Sequence, residues 1–150
     1  MAAMSGSASG EIDAPIDVVW AIVQDVESAP RWQRGIDSMR ALQRDGDGRA
    51  TRAETATDAG IKVFTSRLSF AYEPPRRLSW VQDDGDLKAL AGSWELEDLG
   101  AGRTRVAYAL QADPGALLAR FLKGALEQKM RAILIDGRPA ELKARVEATG

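Results

Sequence analysis

Asp113-Pro114-Gly115-Ala116-Leu117-Leu118 opens the stretch that decides the fold, a run to about Ala148 whose apolar period is helical. Asp113 has the side chain of an N-cap, and Pro114 stands at the first helical position, where a missing N–H costs nothing. Leu118, Leu122, Ala125, Leu126, Ile133, Gly137, Ala140 and Ala144 then recur at helical spacing, with Arg120, Lys123, Glu127, Arg131, Arg138 and Arg145 on the other side. A helix with such a stripe requires a surface to cover it. At ~1.5 Å per residue it would be about 50 Å long, more than packing in a small domain needs. Gly137 and Pro139 are expected to bend it. Lys129 and Asp136 project onto the apolar side. Either they snorkel from the edge of the stripe, or they face a solvated cavity beneath the helix, because an unpartnered charge buried there is costly.

Working back from Asp113, the period changes to two between Gly35 and Gln111. Turn residues punctuate it at Asp45-Gly46-Asp47-Gly48, Asp58-Ala59-Gly60, Pro74-Pro75, Asp84-Gly85 and Gly100-Ala101-Gly102. They divide the region into six strands, roughly 36–44, 49–58, 61–72, 77–82, 86–98 and 103–111. The connections are too short for crossover helices, which predicts an antiparallel sheet. One face is apolar: Phe64, Leu68, Phe70 and Tyr72, then Leu78 and Trp80, then Leu90, Trp94 and Leu96, then Val106, Tyr108 and Leu110. The other carries Arg67, Ser69, Ser79, Glu95, Glu97, Arg103 and Arg105. In 49–58 two sets alternate, Ala50, Arg52, Glu54 and Ala56 against Thr51, Ala53, Thr55 and Thr57, and alternation leaves open which faces inward.

Further back, the second half of residues 1–13 reads as a strand. Asp13-Ala14-Pro15 starts a short helix with Ile16, Val19, Trp20 and Val23 on one face, and Trp20 is read as core. A second short helix is expected with Ser28 as its cap, Pro30 in its first turn and Trp32 on it. The expected architecture is α+β in a single domain over 1–150. A seven-stranded antiparallel curved sheet wraps around a long C-terminal helix, and two short helices after the first strand close one end.

Composition narrows the chemistry. The 150 residues hold no Cys and no His, which removes disulfides, thiol nucleophiles, thiolate metal sites and the commonest general base and metal ligand. No metal and no cofactor is expected, and a Ser-His-Asp triad is impossible. Net charge is -2 with acids and bases interspersed, so no nucleic-acid partner is expected. Apolar runs are too short to span a bilayer, and residues 1–10 lack the regions of a signal peptide, which makes a cytoplasmic location the default expectation.

Several stretches together resemble the START-like, Bet v 1-like (SRPBCC) superfamily, specifically its bacterial polyketide cyclase/dehydrase and lipid-transport branch. They are Ile12-Asp13-Ala14-Pro15 running into Val18-Val19-Trp20, then Asp25, Trp32, Glu73-Pro74-Pro75-Arg76-Arg77-Leu78 and Gly92-Ser93-Trp94-Glu95-Leu96. Thr104-Arg105-Val106-Ala107-Tyr108 and Leu142-Lys143 complete the set. Each is loose alone, and their order and spacing cover nearly the whole chain. The resemblance implies the helix-grip fold, with a cavity between sheet and long helix for lipids, quinones, polyketides or other apolar molecules. It does not fix the function, since members include carriers, sensors and enzymes.

On that reading, inward side chains either fill a core or line a pocket, and the candidates are Trp32, Phe64, Leu68, Trp80, Trp94, Tyr108, Leu122, Leu126 and Ile133. Ala89, Ala91, Gly92 and Ala125 would leave space on the same walls. Tyr108 and Ser66 can hydrogen-bond a ligand oxygen or satisfy local backbone, and Arg52 and Glu54 would join them in one of two registers. Lys129 could anchor a carboxylate or form a Schiff base if burial lowered its pKa. No catalytic residue is assigned. The expected partner is a hydrophobic small molecule, bound by a carrier, sensor or sequestering protein that is a monomer or homodimer. The alternatives are a polyketide aromatase/cyclase that folds its substrate for aldol closure and dehydration, and an interaction protein whose cavity matters little.

Overall fold

A computed structural model describes residues 4–60, 62–120 and 124–149. Seven strands form one antiparallel sheet: β1 (Met4–Ile12), β2 (Ile36–Arg44), β3 (Ala50–Asp58), β4 (Val63–Glu73), β5 (Arg77–Gly85), β6 (Ala89–Gly100) and β7 (Arg103–Asp113). Their order is β1-β7-β6-β5-β4-β3-β2, so every connection but the first is a hairpin between neighbours. Helix α1 (Ile16–Val23) and a 3₁₀ helix (Val26–Arg31) fill the connection from β1 to β2. The C-terminal third comprises α2 (Ala116–Ala119), α3 (Ala125–Arg131), a π-helical turn (Ala132–Asp136) and α4 (Arg138–Thr149).

The strand register explains how the sheet is filled. Cross-strand partners share a face, and three successive rows follow from the pairing. Tyr72, Leu78, Trp94, Tyr108 and Ala8 form one, and Phe70, Trp80, Gly92, Leu110 and Gly6 the next. Leu68, Leu90 and Met4 belong to a third, where Leu68 pairs with Gln82 and Leu90 and Met4 both pair with Ala112. The outer face is a lattice of exposed ion pairs, including Arg40–Glu54 at 3.1 Å, Arg52–Asp83 at 3.1 Å and Arg67–Asp84 at 2.9 Å. Such pairs contribute little stability, but they settle the orientation of β3: Arg52 and Glu54 point outward, while Ala53 and Thr55 are buried.

Both edges of the sheet reach the same helix. On β1, side chains added at Gly6 and Gly10 would meet Ile135 and Pro139 at 3.4 Å, so the small inward residues of this strand let the helix lie close. At the start of β2, a side chain on Gly35 would meet Leu134 at 3.1 Å, and the Arg34 N–H donates to Glu141 Oε2 at 2.7 Å. This double approach is the grip. Beneath it, α1 packs on α4, β6 and β7, and Ile12, Val19, Trp20, Leu96, Val106, Leu142 and Val146 form a solid core at that end.

Several local expectations are corrected. The C-terminal helix is not one run from Asp113: Asp113 ends β7, and its Oδ1 accepts the Gly115 N–H at 2.9 Å, so α2 begins at Ala116. Gly124, at φ 59° and ψ -126°, takes a conformation that suits glycine and no helix, so the helix proper starts at Ala125. The helical hydrogen-bond pattern changes before Pro139, at the π turn, where the Gly137 N–H donates to Ala132 O at 3.0 Å. Pro139 sits in the first turn of α4, where its ring is tolerated. Ser28 lies inside the 3₁₀ helix, with its hydroxyl donating to Asp25 O at 2.7 Å. Asp84-Gly85 is not a turn, since β5 continues through Gly85 to pair with Ser66 and the chain reverses over 86–88.

Candidate functional site

The inner face is not filled at the end away from the solid core. A cavity of about 130 Å³ lies between the sheet and the C-terminal helix. Its walls are predominantly apolar: Phe64, Leu68, Leu78 and Leu110 from the sheet, Met130 and Leu134 from the helix. Asp25 is exposed and also lines the cavity, which therefore meets solvent beside the 3₁₀ helix.

One wall is a chain of aromatic rings. Phe70 and Trp80 lie with centroids 6.3 Å apart, Trp80 and Tyr108 5.7 Å, Tyr108 and Trp94 4.7 Å, and Trp94 and Trp32 6.1 Å. These spacings and tilts suit the ring quadrupoles. Trp80 owes its place to its partner across the strands: a side chain at Gly92 would come within 2.4 Å of the Trp80 ring. The glycine lets the indole lie flat on the sheet, and the space above it stays open.

Several polar atoms on the walls already have partners. The Ser66 hydroxyl donates to Gln82 Oε1 at 2.8 Å, and the Thr55 hydroxyl to Ser38 O at 2.9 Å. Trp32 Nε1–H donates to Ser28 Oγ at 3.2 Å. Arg138 is different. It is 2% exposed, lines the cavity, and donates through Nη1 to Arg34 O at 2.8 Å and to Glu141 Oε1 at 2.7 Å. Its Nε has no partner among the described residues. Its guanidinium lies 5.9 Å from the centroid of the Tyr108 ring.

Of the residues expected from sequence, Trp32, Phe64, Ser66, Leu68, Trp80, Trp94 and Tyr108 lie on the cavity wall. Leu126 and Ile133 are half-buried against the core cluster and are not wall residues. Leu122 lies outside the described residues, as do Lys123 and the side chain of Leu118. Lys129 and Asp136 are exposed, which places both on the surface and leaves Lys129 neither desolvated nor in the cavity. Lys129→Met is accordingly expected to change the denaturation midpoint by no more than ~0.5 kcal/mol equivalent, and to leave the relative affinities for a fatty acid and its methyl ester unchanged.

Helical periodicity puts Arg138 on the polar side of the helix, and the structure corrects this. The π turn inserts an extra residue and advances the phase of everything after it. The buried positions become Ile135, Arg138, Pro139, Leu142 and Val146, while Ala140 and Ala144 are exposed. Gly137 followed by Pro139 was the available signal that regular periodicity ends there.

Burial also sets the titration of the two tyrosines. Burial pushes the Tyr108 phenol up, partly offset by the Arg138 guanidinium. Burial likewise pushes Tyr72 up, assisted by the Asp45 carboxylate, and its hydroxyl donates to Ala50 O at 2.6 Å. A phenol pKa raised on folding stabilises the fold below the unfolded value of about 10 and loses that contribution as pH climbs above it. Tyrosinate absorbance is therefore expected to appear only above the free-tyrosine range, and stability to fall through that range. Normal titration of both phenols in folded protein would contradict the burial described.

A family model described as "Polyketide cyclase / dehydrase and lipid transport" matches residues 3–147. No curated protein matches the chain significantly. Among solved structures, a protein from Thermus thermophilus aligns at TM-score 0.82 and 20% identity, covering 98% of this chain and 99% of its own. A START superfamily protein from Mycobacterium smegmatis aligns at TM-score 0.76 and 20% identity, with 97% and 99% covered. A Streptomyces aromatase/cyclase aligns at TM-score 0.76 and 15% identity, with 97% and 94% covered. At these identities the likeness establishes the helix-grip fold. Among the described residues, no helix is long and apolar enough to cross a membrane.

Proposed function

The chain belongs to the polyketide cyclase/dehydrase and lipid transport family, and from that premise we propose that it binds a hydrophobic small molecule, with planar rings preferred, in the cavity under the C-terminal helix. The observation that carries this reading is the wall itself: a run of aromatic rings above open space, kept open by Gly92 beneath Trp80. Apolar walls with a few placed polar groups are the usual make-up of a small-molecule site. The space resembles in scale the engineered apolar cavity of about 150 Å³ that takes up benzene, so one ring fits as the walls stand and larger ligands require side-chain movement.

A second reading is a polyketide aromatase/cyclase. The presence of Arg138 beside Tyr108 favours it, because a buried guanidinium can hold a carbonyl in position while a chain folds. Tryptophan fluorescence tests the common ground of both readings. Trp80 and Trp94 should be quenched or shifted by long-chain lipids, quinones or aromatic polyketides, and calorimetry should give a negative heat-capacity change. Silence across such a panel in both measurements would overturn the proposal and favour a protein whose cavity serves no ligand.

A further inference from the structure

Among the described residues, Arg138 is the one charged side chain on the cavity wall that is fully buried. A guanidinium presents five donors in a fixed fork. One arm is committed, through Nη1, to Arg34 O and Glu141 Oε1. Glu141 is held in turn through its other oxygen, Oε2 accepting from the Arg34 N–H at 2.7 Å. The Nε edge has no partner among the described residues, although a buried donor without one is costly and is ordinarily satisfied. The π turn aims the residue inward, and regular helical phase would have placed it in solvent.

Resting on the cavity-binding reading above, we propose that Arg138 is an oxygen-anchoring subsite whose free donor edge takes the neutral carbonyl or phenolic oxygen of an otherwise apolar ring compound. The charge arrangement selects the class. Glu141 already neutralises Arg138, at 2.7 Å. A ligand carboxylate would put a second negative charge beside that pair in a poorly solvated space, where repulsion is large. A ketone, quinone or phenol oxygen accepts the same hydrogen bond without that cost. The ring of such a ligand then lies along Tyr108 and Trp80, whose centroids are 5.7 Å apart.

Three single-ring probes of similar size separate the possibilities: acetophenone, ethylbenzene and benzoate, titrated against the intact protein by fluorescence and calorimetry. Acetophenone is expected to bind about tenfold more tightly than ethylbenzene, the lower end of what a hydrogen bond to a charged group contributes. Benzoate is expected to bind more weakly than acetophenone. In Arg138→Met the ketone preference should vanish while ethylbenzene binding persists. The carbonyl stretch of bound acetophenone should shift to lower frequency in the native protein, a measurement that decides the matter even if the variant fails to fold. Ethylbenzene binding as tightly as acetophenone, an unshifted carbonyl stretch, or benzoate binding best would each overturn the subsite and leave cavity binding standing. No binding by any of the three would overturn the cavity reading and the subsite with it.

Discussion

Gly92→Ala is expected to weaken ligand binding more than about tenfold while leaving the fold intact. A methyl group at this position would come within 2.4 Å of the Trp80 ring, far inside van der Waals contact. The sheet cannot recede, since Gly92 is paired with both Trp80 and Leu110. The indole must swing away from the sheet, toward the cavity it lines. Overpacking of this kind costs ~1–3 kcal/mol of stability, while the loss in affinity should exceed roughly tenfold because the ring fills the ligand's place. Trp80→Leu in the Gly92→Ala background should restore space and recover binding, a non-additive result expected of residues in contact. Unchanged affinity in Gly92→Ala would show that ligand does not enter the space above Trp80.

The largest loss of stability is expected at Trp20. It is 5% exposed in the solid core under α1, away from the cavity wall. Truncation to alanine removes a large buried ring and leaves a void, a change that costs ~3–5 kcal/mol. The indole Nε1 is buried without a partner among the described residues. Trp20→Phe therefore sheds an unsatisfied donor along with part of the ring, and its cost should be well below that of alanine. Denaturation midpoints of the two variants test this. Equal losses for phenylalanine and alanine would mean the N–H is satisfied in solution, and affinity at full folding should change in neither.

The sheet was legible because its information is local. Alternation of Phe64, Leu68 and Phe70 and the turn chemistry of Asp45-Gly46-Asp47-Gly48 are short-range signals, and the observed strands follow them closely. The grip of sheet on helix followed from matching two apolar surfaces, and it is the fold observed. What escaped were features decided by tertiary context. Asp84-Gly85 has the composition of a hairpin turn, but pairing of Gly85 with Ser66 extends β5 past it. In β3, alanine and threonine suit either face, so only the partners of Arg52 and Glu54 fix the register. The helix departs most from its helical projection, because projection assumes one constant period. Gly124 interrupts it and the π turn resets it, which moves Arg138 into the cavity and places Lys129 and Asp136 in solvent. The aromatic wall was thus readable from strand alternation, whereas its charged partner was not.

The central claim is that a hydrophobic ligand occupies the space between the aromatic wall and the C-terminal helix. Intermolecular nuclear Overhauser effects between an unlabelled ring ligand and isotope-labelled protein test it most directly. The account predicts contacts from ligand protons to the rings of Trp80, Trp94 and Tyr108 and to the methyl groups of Leu68 and Met130, all of which face that space. Saturable binding with contacts confined to the outer face of the sheet, or to exposed Val63 and Val81, would contradict it.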